Sequence, residues 1–270
     1  MRLEVERASY SYPAGPLALR EVSATFVPEE RVGLLGANGS GKSTLARLMN
    51  GLLVPASGSV RVGELDTRAH PASRIAGLVG YVFQDPRKQL FCRTVQDEIA
   101  FGPHQLGWPT ERIQETVART LRLSGLEPFR SEHPYELPSR YFRRLAWASV
   151  LSIETGFLIA DEPTASMDAD EYRWLIEVLD LLRARSVGVL VITHDVEFAA
   201  EHLDRLLVLG NGRLLAQGLP SEILATGLPG LRSPVAARAA CVLGLGGDVC
   251  NARGLIAALS GEGGAQGLAN

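Results

Sequence analysis

Apolar and polar positions alternate over residues 2–7 and 17–26, which predicts two antiparallel strands joined by the Pro/Gly-rich turn at 13–16. A short apolar run at 31–35 predicts a strand that enters a cluster of glycines, and helical spacing follows over 43–53. Strands are expected at 59–62 and 78–83, the second ending at Gln84. The pattern then changes: apolar residues recur at helical spacing over 94–106, 111–123 and 140–153, with Thr110 expected as an N-cap and Gly125 as a helix stop. Residues 87–154 therefore read as a mostly helical insertion in an otherwise α/β chain. Beyond it lie a buried strand at 156–160, an amphipathic helix at 169–184, a second buried strand at 187–193 and a helix at 196–203. Strand-like runs at 206–209 and 213–216 flank Asn211-Gly212, a hairpin signal. From about residue 220 the chain is Gly/Ala-rich, with a last amphipathic segment at 252–259.

The glycine cluster carries the most specific chemistry. Gly36-Ala37-Asn38-Gly39-Ser40-Gly41-Lys42-Ser43 fits the phosphate-loop pattern G-x-x-x-x-G-K-[ST] at every fixed position, with a strand before it and a helix after it. Glycines let backbone N–H groups turn inward around phosphate oxygens, and the following helix adds its positive N-terminus. Lys42 is expected to reach the β- and γ-phosphates, and the Ser43 hydroxyl to hold Mg²⁺. Phe157-Leu158-Ile159-Ala160-Asp161-Glu162 is a buried strand with two acids at its C-terminal end, where open parallel sheets place their ligand sites. Asp161 is the expected metal ligand and Glu162 the candidate general base for an attacking water. Val191-Ile192-Thr193-His194-Asp195 repeats the arrangement, so His194 is placed to sense the γ-phosphate. The amide of Gln84, at another strand end, is placed to bridge metal, water and phosphate.

Composition narrows the function classes. The formal net charge is −3 and the pI about 6.0, which argues against a dedicated nucleic-acid binder. Three scattered cysteines suit neither a disulfide framework nor a zinc site. No apolar run approaches the roughly 20 residues a bilayer span needs, and no signal peptide is legible. A soluble cytoplasmic chain is expected, peripheral if it serves a membrane. Only two of the 27 basic residues, Lys42 and Lys88, are lysines. Lys42 sits where a compact ammonium must thread into the cradle and a planar guanidinium would be too bulky.

With these parts in order, the chain resembles the ATP-binding subunits of ABC transporters over roughly residues 2–218. That family presents a phosphate loop (here 36–44, including Thr44), a glutamine (Gln84), a signature (137–141), an Asp-Glu strand end and a histidine, in that order. The resemblance implies a P-loop NTPase core at 1–218 with an antiparallel β subdomain, a helical subdomain at about 87–154 and a C-terminal extension at 219–270. It implies ATP hydrolysis with Mg²⁺, and it makes Tyr12 the aromatic that stacks on adenine, the alternative being a packing tyrosine in an edge strand. Ala165-Ser166-Met167-Asp168 resembles the family's loop that contacts the opposite subunit. Val82-Phe83-Gln84-Asp85-Pro86, Gln89-Leu90-Phe91 and the segment Asp97-Glu98-Ile99-Ala100-Phe101-Gly102-Pro103 are similar to the ATPases of energy-coupling factor (ECF) transporters and their cobalt-uptake relatives. The implied setting is the cytoplasmic face of the cell membrane. There an ATPase dimer lies beneath a transmembrane coupling protein and a small membrane-embedded substrate-binding protein, taking up a vitamin or transition-metal ion. Residues 231–259 resemble that subfamily's dimerisation region.

One motif departs from the family. Its signature is Leu-Ser-Gly-Gly-Gln, and after Leu137 this chain has Pro138, Ser139, Arg140 and Tyr141. In the family the signature caps the γ-phosphate held by the other subunit. Pro138 removes a hydroxyl and an N–H, and Ser139 and Arg140 put side chains where close backbone approach is wanted. Arg140 either donates to phosphate or points into solvent. What the chain offers its own nucleotide is intact, while what it offers across a dimer is degraded. A heterodimer with an intact-signature partner is therefore expected. ATPase subunits of other ABC transporters, and a weakly hydrolysing regulatory subunit, are the competing readings.

Overall fold

The computed structural model describes residues 1–13, 15–225, 231–245 and 249–260. The chain opens with strands β1 (Leu3–Ser11), β2 (Leu17–Phe26) and β3 (Arg31–Leu35), then helix α1 (Lys42–Met49), strands β4 (Ser57–Val62) and β5 (Leu65–Asp66), helix α2 (Ala72–Ala76) and strand β6 (Val79–Val82). Three helices follow: α3 (Val95–Gln105), α4 (Thr110–Ser124) and α5 (Ser139–Leu151). The sheet resumes with β7 (Phe157–Asp161), α6 (Ala169–Ala184), β8 (Gly188–Ile192), α7 (Val196–His202), β9 (Arg205–Gly210) and β10 (Arg213–Gly218). Helices α8 (Pro220–Ala225), α9 (Val235–Val242) and α10 (Ala252–Ser260) end the described chain.

Two sheets form. The larger has the order β10-β9-β3-β8-β7-β6, parallel except for the antiparallel edge strand β10; the smaller is antiparallel, β2-β1-β4-β5. Every residue of β3 and β8 is buried, which accounts for the apolar runs at 32–35 and 188–192: a strand covered on both faces shows no alternation, and the buried Arg31 that opens β3 is paired with Asp180 at 2.6 Å. One core lies between the two sheets and takes in α1 through Leu45, Leu48 and Met49, with Phe26 and Phe157 meeting edge to face at 5.7 Å. A second core lies on the opposite face against α6 and α7. Helices α3, α4 and α5 share a third, built from Val95, Ile99, Ile113, Val117 and Leu145. The expected α/β organisation with an antiparallel subsheet and a helical insertion is thus what the chain adopts.

Several boundaries differ from expectation. β1 runs to Ser11, because irregular pairing around Arg7 (φ +43°) lets the strand continue past the point where its alternation breaks. The helix expected over 43–53 stops at Met49, and Gly51 (φ +76°) turns the chain away. Thr110 is not an N-cap. It is the first residue of α4, with Pro109 before it and no side-chain cap, because the fixed backbone of Pro109 already sets the entry angle. Gly125 (φ +66°) ends α4 in the left-handed conformation, as expected. Sequence patterning missed α8 and α9. Residues 226–230, 246–248 and 261–270 of the expected extension lie outside the described residues, as does Ala14 in the first turn.

The described part of the extension is tied to α7. The Val235 N–H donates to Glu197 Oε1 at 2.7 Å, and Asn251 Nδ2 donates to the Ala200 carbonyl at 3.2 Å. Cys250 is buried in the second core and Leu231 packs against it. Among the described residues, no helix is long and apolar enough to cross a membrane.

Candidate nucleotide site

β3 delivers Leu35 from the middle of the large sheet into the glycine loop. Gly36 has φ +146°, and a Cβ there would lie 2.2 Å from the Leu209 carbonyl oxygen, so only glycine fits. Gly39 (φ +78°) and Gly41 (φ +107°) hold the remaining left-handed turns, and a Cβ on Gly41 would come within 2.7 Å of the Ala18 carbonyl oxygen. The loop is clamped from behind, where the Gly212 N–H donates to the Ser40 carbonyl at 3.1 Å. Lys42 opens α1, and its ammonium donates to the carbonyls of Gly36 (2.7 Å) and Ala37 (3.1 Å). Burial lowers the Lys42 pKa from its ordinary value, and the charges of Glu162 and Asp161 oppose the shift. The Ser40 hydroxyl is buried with no hydrogen-bond partner in the described structure. Backbone amides, a helix N-terminus and a half-buried cation therefore converge on one loop, a combination suited to a polyphosphate.

The acid pair stands beside it. Asp161 ends β7 and accepts a hydrogen bond from the Tyr81 hydroxyl at 2.8 Å. Burial raises the Asp161 pKa; the Tyr81 bond is the largest opposing influence, Glu162 adds to the rise, and Lys42 counters it. Glu162 turns off the strand end in the left-handed region (φ +49°), with its N–H donating to the Ile192 carbonyl at 2.8 Å. Its carboxylate lies 2.8 Å from His194 Nδ1, with side-chain exposures of 13% for Glu162 and 77% for His194. A largely buried carboxylate held against an exposed imidazole is positioned to take a proton from water and to pass on a change at the histidine.

Two neighbouring cavities hold these groups. The first, about 340 Å³, is lined by Tyr12, Lys42, Ser43, Thr44, Asp161 and Ala18 among others; the Tyr12 hydroxyl lies 3.2 Å from Thr44 Oγ1. The second, about 530 Å³, is lined by Gly36, Thr193 and His194. Asn38, Gln84 and Glu162 line both. The structure thus gathers Tyr12, the loop glycines, Lys42, Ser43, Thr44, Gln84, Asp161, Glu162 and His194 around one continuous depression.

The profile of the ABC transporter family matches residues 19–165 of the chain. The energy-coupling factor transporter ATP-binding protein EcfA of Methanothermobacter thermautotrophicus is 38% identical over 223 residues, which is 82% of this chain and 72% of that one. The chain belongs to the ABC transporter ATP-binding family. EcfA2 of Methanospirillum hungatei is 34% identical across 82% of this chain and 56% of its own length. Among solved structures, CbiO1 of Clostridium perfringens, part of the ABC transporter complex CbiONQ, superposes with a TM-score of 0.74 at 30% identity, over 83% of this chain and 90% of that one.

Compared with the ABC family's signature, residues 138–141 are placed apart from the depression and line neither cavity. Pro138 stands at the N-cap of α5 with no side-chain cap, and the Arg140 guanidinium lies 4.9 Å from the Tyr141 ring centroid. Ser139 and Arg140 border a third cavity with Asp85, Arg87 and Asp168. Asp168 caps α6 in a reciprocal box, accepting from the N–H groups of Asp170 (2.9 Å) and Glu171 (2.8 Å) while Glu171 accepts from the Asp168 N–H. Arg143 ties the loop before it to α5, donating to the Ala165 carbonyl at 2.5 Å.

Among the described residues, no group of three or more His, Cys, Asp or Glu side chains gathers to hold an ion. The Ser43 hydroxyl, the Gln84 amide oxygen and the Asp161 carboxylate share one cavity. This small, hard oxygen set fits Mg²⁺ completed by phosphate oxygens.

The contacts of three residues escaped the sequence reading. Tyr81, on the strand beside β7, holds Asp161; its place in the apolar run at 78–83 marked it only as strand. Gln89 reaches from the segment after Gln84 to the Ala146 carbonyl (2.6 Å) and Ser149 Oγ (3.0 Å) on α5, while its amide oxygen accepts from the Phe83 N–H at 3.0 Å. Arg232, from the extension, lines the second cavity; nothing in local sequence signals either contact.

Proposed function

We propose that this ATP-binding subunit of an ABC transporter hydrolyses ATP to power an ECF-type importer of a vitamin or transition-metal ion. The single observation that carries hydrolysis is the Glu162–His194 contact beside the Lys42 loop. The ECF setting rests on the names and likeness of the EcfA and CbiO1 relatives. In this reading Tyr12 receives the adenine face. The N–H groups of Gly36, Asn38, Gly39, Ser40 and Gly41, with Thr44 behind them, cradle the phosphates, and Lys42 exchanges its loop carbonyls for phosphate oxygens. Ser43, Asp161 and Gln84 hold Mg²⁺, which neutralises charge on the phosphates when bound. Glu162 accepts a proton from the attacking water, and His194 holds Glu162 in place and meets the γ-phosphate.

The same proposal divides the chain into a nucleotide-binding unit at 1–218, with a helical part at about 87–154, and an extension at 219–270. It places the chain peripherally on the cytoplasmic face of the membrane, with a transmembrane coupling protein and a membrane substrate-binding protein, and without nucleic acid. The second ATPase subunit is a different chain with an intact signature, because Pro138 removes a hydroxyl and an N–H and Ser139 and Arg140 put side chains where a homodimer would need close backbone approach at both sites. Turnover of the pure chain, set against its mixture with a co-encoded ATPase, tests this. Activity is expected only in the mixture. Robust turnover by the pure chain, abolished by Glu162→Gln, refutes the heterodimer. The altered signature also favours a second reading, a nucleotide-binding regulatory subunit, which the absence of turnover in the mixture would establish.

A further inference from the structure

The second cavity contains one permanently charged side chain that the proposed chemistry does not use. Arg232 comes from the extension, far along the chain from the glycine loop, yet it shares that cavity with Gly36, Asn38, Gln84, Glu162 and His194. It is exposed, and no carboxylate pairs with it among the described residues. The one acid lining the cavity, Glu162, is engaged with His194 at 2.8 Å. The remaining polar lining consists of loop backbone, the Asn38 and Gln84 amides, Thr193 and His194, a set with N–H and O–H donors suited to an anion. Position indicates which part of the anion. Tyr12 lines only the first cavity and Arg232 only the second, while Asn38, Gln84 and Glu162 line both. A nucleotide whose base lies on Tyr12 and whose phosphates follow the loop runs toward the Arg232 end.

The backbone around Arg232 is anchored. Leu231 packs against the second core, Pro234 is buried at the start of α9, and the Val235 N–H is held by Glu197 on the helix that follows His194. We propose that Arg232 contacts the terminal phosphate of ATP bound by its own chain, so that the extension contributes a cation to the nucleotide site. Arg232 thereby acts as a specificity residue for triphosphate over diphosphate. This rests on the depression being an ATP site.

The test is calorimetric titration of the full chain, with Mg²⁺, by ADP and by the β,γ-imido analogue of ATP. Arg232→Ala is expected to weaken the triphosphate analogue about tenfold, the order of one lost charged hydrogen bond, and to leave ADP within about twofold. Arg232→Lys should recover part of the loss. Arg238→Ala, an exposed arginine on α9, should change neither ligand. Equal losses for both nucleotides, or no loss, would overturn the role of Arg232 while leaving the ATP site standing. Failure of the unaltered chain to bind either nucleotide would overturn the site reading and the arginine with it.

Discussion

Helices α1 and α5 both begin where the family uses a helix N-terminus to meet phosphate, yet they are built differently. α1 starts after Gly41, in a loop whose glycines hold φ values of +146°, +78° and +107° and leave the backbone bare. α5 starts after Pro138, which has no N–H, and its first turn carries Ser139, Arg140 and Tyr141, with the arginine stacked on the tyrosine. The macrodipole is the same at both ends. A helix N-terminus becomes an anion site only when the residues before it expose amides and permit close approach. The first start has that arrangement and the second lacks it, so the chain is equipped to bind phosphate through itself and poorly equipped to offer phosphate contacts to a neighbour.

Four experiments sharpen or break this contrast. The largest effect is expected from Glu162→Gln, which removes the general base while keeping the fold. In the presence of a competent partner, phosphate release should fall by about a thousandfold, within the range for such groups, while nucleotide binding persists. Lys42→Ala deletes the half-buried cation at the α1 start. Calorimetry should show ATP affinity falling by about a hundredfold, the order of two charged contacts, with an unchanged circular dichroism spectrum. Converting the α5 start by Pro138→Ser, Ser139→Gly, Arg140→Gly and Tyr141→Gln together should raise the turnover of the chain alone by about tenfold or more, since single oxyanion donors can carry larger factors. An unchanged rate would mean that the two helix starts are not what separates active from inactive assemblies.

The smallest effect concerns stability. Burial raises the Asp161 pKa, so the ionised carboxylate costs stability at neutral pH and protonation relieves that cost on acidification. Asp161→Asn should therefore raise the melting temperature by a few degrees at pH 7, and the gap to the unaltered chain should narrow as the pH falls through the carboxylate range. The same variant should lose the Mg²⁺ dependence of ATP binding.

The glycine loop, the acid pair and the histidine were legible because each is a local pattern: an apolar strand followed at once by polar or glycine residues. The buried strands of the large sheet follow the same logic, since strands covered on both faces read as apolar runs, but their order depends on pairings between distant segments and was not legible in the sequence. What sequence could not show depends on partners far along the chain. Thr110 looked like a cap because threonine caps helices, but Pro109 already fixes the entry. Gln89 stood out only as part of the segment that resembles ECF ATPases, yet it clamps α5. The Tyr81–Asp161 bond and the approach of Arg232 arise only when β6 pairs with β7 and the extension folds back over α7.

The placement of β3 also bears on how the protein is made. This strand and its glycine loop are synthesised before the strands that flank and brace them: β3 lies between β8 and β9, and the loop is braced by Leu209 and Gly212. About 175 further residues must leave the ribosome before that brace exists, roughly 10–35 s at ordinary elongation rates. During that interval the nascent chain carries an unpaired apolar strand and a phosphate loop without its support. The nucleotide site is thus a late product of translation, completed by the last strands of the sheet.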